Sequence, residues 1–493
     1  MDFIQGSLEY VQIFFQSIID LGAPVFLALI LTILGLIFRM KFTRAVSAGL
    51  TLGVALAGIG LVVGYMIDNV GAAASSFVDN TGVSLTALDM GWPPALGLAW
   101  GWKFAFLMFP IQIVVNVVML TFKWTSTLNV DMWNVGNKVL TAFLVFFVTD
   151  QVWLGFLVAA AQAVLELKNA DVTRYRLQSL TGIPGVSMPH PMFLTGIWLY
   201  PFIKVMDRIL PEKTNIDAQK LRSKIGIFGE NHVMGFIIGC LIGALGGYNL
   251  SEVLTLGIQA AAALTLFPLV AKLFTTALTP VSDSAQTFMK KRFANREFTI
   301  GLDWPIMAGR SEHWLLMILS IPLLLVYALI LPGNIVLPFG GLMNICLIVP
   351  LFFFTRGNFV KMAIGTVIGI PMQLYVASYF APYFTSLAES SGDAIAPQGQ
   401  LLAWFGMDIS ELRYIIVSAV QGEWTGITLL VATIVLAFFY FRGMRKDDLK
   451  IKTELGLDEP EVAPTPVAES APVVSVDATD VDSATATTAK AKS

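Results

Sequence analysis

Two stretches decide how this chain reads: Leu88-Asp89-Met90-Gly91-Trp92-Pro93 and Leu302-Asp303-Trp304-Pro305. Each sets an acidic residue and a helix-breaking proline in apolar surroundings. Each also follows a matching tetrad, Leu50-Thr51-Leu52-Gly53 before the first and Leu254-Thr255-Leu256-Gly257 before the second. A Leu/Gly tetrad alone is cheap in a chain this rich in both residues, so the weight rests on the repeated order and on the Asp-Trp-Pro element. Together they indicate an internal duplication. Repeat-built transporters place substrate-binding half-helices near the bilayer midplane in this way.

Composition sets the solvent. With 56% hydrophobic residues, 13% charged and a mean hydropathy of +0.73, the chain has more apolar surface than a soluble fold can hide. A net charge of -3 carries no nucleic-acid signal. Cys240 and Cys346 both lie in apolar runs, so neither a disulfide framework nor a cysteine metal site is expected. The first apolar run is too long and too poor in basic residues at its start for a cleaved signal peptide. The expected fold class is an all-α polytopic membrane protein.

A helix needs roughly 20 apolar residues to cross the hydrocarbon. That ruler predicts about eleven spans, near 10–38, 44–68, 100–122, 138–165, 188–207, 232–248, 252–279, 313–331, 335–354, 359–381 and 414–441. Pro189, Pro191 and Pro201 interrupt 188–207, which reads equally well as a full crossing or as a broken, re-entrant segment. The expected organisation is a first repeat over 1–207, a cytoplasmic loop over 208–231, a second repeat over 232–385, an outer loop and last helix over 386–446, and a disordered tail over 447–493. Five spans per repeat, an odd number, would make the repeats inverted.

Basic residues cluster at one set of loops, among them Arg39, Lys41, Arg44, Lys123, Arg208, Lys290, Arg356, Arg442 and Lys446. The positive-inside rule makes that side cytoplasmic, with the N-terminus outside and the C-terminus inside. One loop disagrees: Lys168, Arg174 and Arg176 fall on the expected outer side, so either that segment is amphipathic or the span count there is off by one.

Asp89 and Asp303 are the first candidates for a site, because an ionisable group at membrane depth costs at least roughly 2.5 kcal/mol. They would accept hydrogen bonds from a polyhydroxylated substrate. Equally, each would cap a short half-helix with Pro93 or Pro305 in its first turn. Trp92, beside the first of them, is a further candidate for substrate contact. Asn129-Val130-Asp131-Met132-Trp133-Asn134 joins carboxylate, amide and indole groups, a set suited to a sugar-like ligand and equally to an interfacial loop. His190 follows the Gly/Pro-broken stretch Gly182 to Pro189, with no second histidine at metal-ligand spacing. No P-loop, nucleophile elbow or zinc motif is present, and no cofactor is expected.

Leu88 to Pro93, Asn129 to Asn134, Met188-Pro189-His190, Phe228-Gly229-Glu230, Phe298 to Asp303 and Pro332 to Gly340 run in one order over most of the chain. In them the sequence resembles the galactitol-type permease component, EIIC, of the bacterial phosphoenolpyruvate-dependent sugar phosphotransferase system, which is related to ascorbate EIIC. The resemblance implies a homodimeric multi-pass protein of the bacterial inner membrane. It would bind a sugar alcohol outside and present it inward to a separate EIIB chain carrying a phosphocysteine, itself served by a separate EIIA. It also implies that Asp89, His190 and Asp303 lie near the substrate, with the block containing Asp131, Trp133 and Asn134 beside them. Trp304 stands directly after Asp303 and Arg310 follows, where the galactitol proteins have Pro and a His, so the implied substrate class includes other hexitols, pentitols and related sugars. An H⁺-coupled secondary transporter and a receptor or scaffold are the competing classes.

Overall fold

In the computed structural model the described residues are 23–82, 85–129, 131, 134–211, 215, 226–292, 298–307, 310–341, 346–391 and 400–457. The first half of the chain opens with a helical hairpin, α1 (Ala23–Ile37) and α2 (Phe42–Met66), and α2 continues through the wide turn Ile67–Gly71 into α3 (Ala72–Thr81). Strand β1 (Ala87–Asp89), helices α4 (Trp92–Gly101) and α5 (Met108–Thr121), and strand β2 (Thr127–Asn129) follow. A second hairpin, α6 (Val135–Thr149) and α7 (Val152–Thr181), leads to β3 (Val186–Ser187) and α8 (Gly196–Ile209). The second half runs in the same order. Hairpin α9 (Asn231–Leu245) and α10 (Leu250–Arg292) precedes β4 (Thr299–Gly301), α11 (Ser311–Ile330) and β5 (Val336–Leu337). Then come α12 (Ile348–Thr355) and α13 (Phe359–Ser391), β6 (Leu401–Ala403), α14 (Ser410–Val420) and α15 (Trp424–Glu454).

The protein is mostly helical, as the hydropathy demands. Among the described residues four helices are long and apolar enough to cross a membrane: Phe42–Gly71, Val152–Thr181, Phe359–Ser390 and Trp424–Glu454. The pair Trp92–Gly101 and Ala105–Thr121 makes a fifth candidate, bent by 93°. Hairpins α1–α2 and α9–α10 close on small residues, Gly53 against the Pro24 carbonyl and Gly239 against Ala260, which lets backbones approach where hydrophobicity gives no drive between helices.

Several expected spans take another form. The run 138–165 divides at Asp150, whose left-handed backbone (φ 53°) ends α6 and turns the chain into α7. Lys168, Arg174 and Arg176 therefore ride on α7 rather than in a loop after it. The stretch 188–207, which follows β3, becomes a tight turn over Pro191–Thr195 and most of the short α8, and 335–354 contains β5 and most of the eight-residue α12. Nor does the last helix stop at Lys446, where the tail was expected to begin. It runs on to Glu454, because Asp447 meets Lys204 at 2.8 Å and Asp448 accepts the backbone N–H groups of Tyr175 (3.3 Å) and Arg176 (2.8 Å). The chain divides into two compact units, 1–451 and 452–493. Within the second, the Gly456 N–H bonds the Thr453 carbonyl at 3.0 Å as the helix ends.

Among the described residues six short strands interrupt the helices. They form two parallel three-stranded sheets, β5-β1-β6 and β2-β4-β3. Each middle strand comes from one half of the chain and both its neighbours from the other. In the first sheet Ala87 pairs with Val336 and Leu401, and Asp89 with Ala403; in the second Asn129 pairs with Gly301 and Val186 with Ile300. Extended backbone inside a membrane protein must have its N–H and C=O groups satisfied, and this exchange satisfies them.

Asp89 ties the first sheet together. Fully buried at the end of β1, it accepts the N–H of Gly91 (3.0 Å) and Phe405 (2.9 Å) on Oδ1 and those of Phe339 (3.1 Å) and Gly341 (2.6 Å) on Oδ2. One carboxylate thus gathers the chain just beyond all three strands. Gly91 (φ 76°) is required there, because a Cβ would press on the Gly340 carbonyl. The half-helix expected after Asp89 is α4, with Pro93 and Pro94 in its first turn, and Trp92, half-buried, begins it against the core.

Hydrogen bonds to a charged group contribute about 1.5–3 kcal/mol each, and four amides would be orphaned together. Asp89→Ala is therefore expected to abolish a monodisperse folded peak in detergent, measured by fluorescence size-exclusion chromatography, whereas Asp303→Ala retains it.

Candidate substrate-binding site

The second sheet ends differently. Asp303 lies two residues past β4, and its side chain keeps 25% exposure where that of Asp89 has none. Its Oδ1 accepts the Trp304 N–H at 2.7 Å and Asn134 Nδ2 at 3.2 Å. The same oxygen lies 3.4 Å from His190 Nε2. Among the described residues no hydrogen bond from protein reaches Oδ2, so this carboxylate, unlike Asp89, has acceptor capacity left for a ligand.

His190 is held for that contact by the turn it caps. Its Nδ1 accepts the Met192 N–H at 3.2 Å, so in the neutral imidazole the proton sits on Nε2, facing Asp303. The broken stretch that reads as a weak span in sequence serves here to deliver one buried imidazole to the end of the sheet.

Asn134, at the start of α6, bridges two carboxylates. Its Nδ2 donates to Asp303 and, by a very short contact, to Asp131 Oδ2; its own N–H donates to Asp131 Oδ1 at 3.2 Å. The preceding loop is braced by α5 through residues one helical turn apart. Gln112 Nε2 donates to the Asp131 carbonyl (3.0 Å), and Asn116 both donates to the Thr127 carbonyl (2.9 Å) and accepts the Asn129 N–H (3.0 Å). Asn129 Oδ1 in turn accepts the Asp131 N–H at 3.0 Å. The structure thus brings together Asp131, Asn134, His190 and Asp303 and leaves Asp89 and Trp92 in the other sheet's framework. Trp133 lies outside the described residues.

Behind the cluster stands a polar stripe of α6 that the sequence reading passed over. Lys138 and Glu166 form a fully buried ion pair at 2.6 Å, and Lys138 also donates to the Asn134 carbonyl at 3.2 Å. Asn137 donates to Asp408 Oδ2 at 3.0 Å and to Asn134 Oδ1 at 3.2 Å. Arg413, itself buried, donates to Asn137 Oδ1 (2.9 Å), the Asn137 carbonyl (2.8 Å), the Asp408 carbonyl (2.8 Å) and Thr141 (3.1 Å). Asn134, Asn137, Lys138 and Thr141 recur at spacings of three and four, one face of a helix. The available signal was the pair of ionisable residues, Lys138 and Glu166, at the two ends of an apolar run.

Chemically, the cluster offers an accepting carboxylate edge with an imidazole nitrogen 3.4 Å from it, braced by amides and two buried cations. Such a donor and acceptor set suits a neutral polyhydroxylated ligand. Among the described residues no group of three or more His, Cys, Asp or Glu side chains is arranged to hold a metal ion.

The polar cluster lies where the two strand-exchanging halves of a mostly helical, apolar chain meet. The chain matches the EIIC-GAT family, described as the PTS system sugar-specific permease component, over residues 17–399, and it belongs to that family. It is accordingly a transport subunit and not an enzyme in itself. The chain is 33% identical over 410 residues to a protein of Escherichia coli strain K12 described as a permease IIC component, covering 81% of this chain and 93% of that one. It is 30% identical over 383 residues to the galactitol-specific EIIC component of the same strain, covering 76% and 84%. The family match takes in Asp89, Asp131, Asn134, His190 and Asp303 and stops before β6, Asp408 and Arg413.

Removing one partner of a buried ion pair costs about 3–5 kcal/mol, whereas replacing both by apolar groups is often neutral. Lys138→Met is expected to lower the midpoint of thermal unfolding sharply, and Lys138→Met with Glu166→Leu to restore most of it, read by differential scanning fluorimetry in detergent.

Proposed function

We propose that this chain binds and translocates galactitol or a related sugar alcohol as the EIIC subunit of a phosphotransferase system. The polyol is held at Asp303, His190, Asn134 and Asp131, then phosphorylated by a separate EIIB chain served by a separate EIIA. The observation that carries this assignment is the contrast between two acidic residues in equivalent sequence settings: Asp89 has its four bonds to backbone N–H groups, while Asp303 is partly exposed beside an imidazole N–H. Asp89 accordingly holds the fold, and Asp303 meets the substrate. Similarity to the galactitol-specific relative supports the substrate class. Phosphorylation traps the product, because a phosphate ester with nearly two negative charges does not recross hydrocarbon.

The recurring element order and the reciprocal strand exchange support an inverted repeat, in which the halves rock around the site. The proposed orientation has the N-terminus outside and the C-terminus in the cytoplasm of a bacterium. Two of the three exceptions to the charge asymmetry, Lys168 and Arg174, line one groove with Lys123, Arg442, Arg445 and Lys446, which groups them with the basic side. The proposed assembly is a homodimer in the inner membrane.

The test uses vesicles containing the chain, with and without a cognate EIIB and a phosphoenolpyruvate supply, and labelled galactitol beside a panel of pentitols. Labelled polyol phosphate is expected only with EIIB, and Asp303→Asn or His190→Gln should lower its formation by roughly tenfold or more, the effect of about 1.4 kcal/mol, without changing thermal stability. Free polyol accumulating on a proton gradient without EIIB would instead establish the secondary transporter.

A further inference from the structure

A groove of about 1430 Å³ lies between the end of α5, the outer face of α7 and the end of α15. Six cationic side chains line it: Lys123, Lys168, Arg174, Arg442, Arg445 and Lys446. Its two carboxylates are engaged with the protein's own backbone and hydroxyl groups. Asp171 takes the Ser126 N–H (3.1 Å) and the hydroxyls of Thr125, Ser126 and Thr127 (3.0 Å each), while Asp448 takes the Tyr175 and Arg176 N–H groups. Among the described residues no ion pair engages Lys123, Arg442, Arg445 or Lys446. With six cationic side chains against two carboxylates, the groove is net positive.

Its other wall is apolar and faces outward. Only 17% of the apolar window of α15 is buried, and Phe438 is 62% exposed immediately before the basic residues begin. From Trp424, 82% exposed at the far end, to Arg442 the helix rises about 27 Å, the thickness of a hydrocarbon core. Arg442, Arg445 and Lys446 thus fall at the polar boundary. Phe122 and Trp124, stacked at 5.2 Å and both exposed, stand across the groove where aromatic side chains mark that boundary.

We propose that this groove is a binding site for an anionic phospholipid, its headgroup phosphate among Arg442, Arg445, Lys446 and Lys123 and its acyl chains along Phe438 and Leu165. A soluble anion would use the cations and leave the apolar wall idle; a zwitterionic lipid would use the wall and not the net charge. The combination fits a lipid that carries both features.

The test is native mass spectrometry of the full chain released from detergent after incubation with phosphatidylglycerol or phosphatidylcholine of the same acyl composition. Phosphatidylglycerol is expected to be retained preferentially, and the combined substitutions Arg442→Ala, Arg445→Ala and Lys446→Ala should weaken its retention by roughly a hundredfold. If that triple variant is unstable in detergent, Arg445→Ala and Lys446→Ala singly should each weaken retention by roughly fivefold. Equal retention of the two lipids, or unchanged retention in the variants, overturns the proposal. Displacement of phosphatidylglycerol by an equal concentration of inorganic phosphate would make the groove a soluble-anion site. Displacement by EIIB without lipid preference would make it a protein-docking surface. The readout does not involve sugar, so it succeeds or fails independently of the proposed substrate.

Discussion

Every backbone N–H and C=O carried into the interior of a membrane protein must find a partner, and in this chain that constraint joins the two halves. Helices satisfy their own backbone; the short extended segments that interrupt them do not. Six such segments resolve the difficulty by crossing over, so that β1 is completed by β5 and β6 and β4 by β2 and β3. The consequence reaches beyond hydrogen bonding. Neither half can satisfy its own middle strand, so the two halves form one structure, and the ends of the two sheets become the places where residues distant in sequence meet.

The two sheet ends have been put to different uses with the same residue type. At the first, a carboxylate takes four backbone amides and leaves nothing for a ligand; at the second, a carboxylate takes one amide and shares itself among an asparagine and a histidine. The difference lies in what surrounds each aspartate. Around Asp89 the loops after β5 and β6 turn their N–H groups inward, while around Asp303 the neighbours are side chains from α6 and from the turn after β3. A saturated knot and an open polar cluster thus arise at the ends of two similar sheets. The buried Lys138–Glu166 pair and Arg413 then fix α6, the helix whose first residues form the wall of the site.

Charges so deep in an apolar protein are costly unless each is paired and its remaining hydrogen-bonding capacity is met. Here the pairing is reciprocal across elements: α6 with α7 through Lys138 and Glu166, and α6 with α14 and the segment before it through Asn137, Asp408 and Arg413. The network is what makes a short helix such as α6, fifteen residues long, a rigid support rather than a marginal one. Membership of the sugar-specific permease family gives that rigidity a purpose, since a sugar is recognised by hydroxyl directions that fixed donors and acceptors read.

The sequence by itself determined the apolar, mostly helical character of the chain and its family, because hydropathy, composition and short motifs are local properties that survive without coordinates. It also singled out Asp131, Asn134, His190 and Asp303, since polar groups and backbone breaks inside apolar runs are rare enough to be conspicuous. It did not separate Asp89 from Asp303, because their difference depends on amides 250 to 316 residues away. Nor did it divide the run 138–165, where a turn of two residues at Asp150 leaves the average hydropathy nearly unchanged. The strands were invisible for a related reason: two or three residues carry no periodicity, and their pairing exists only across the two halves. Tertiary structure alone decided which carboxylate is saturated, which cations are paired and which are gathered in one groove.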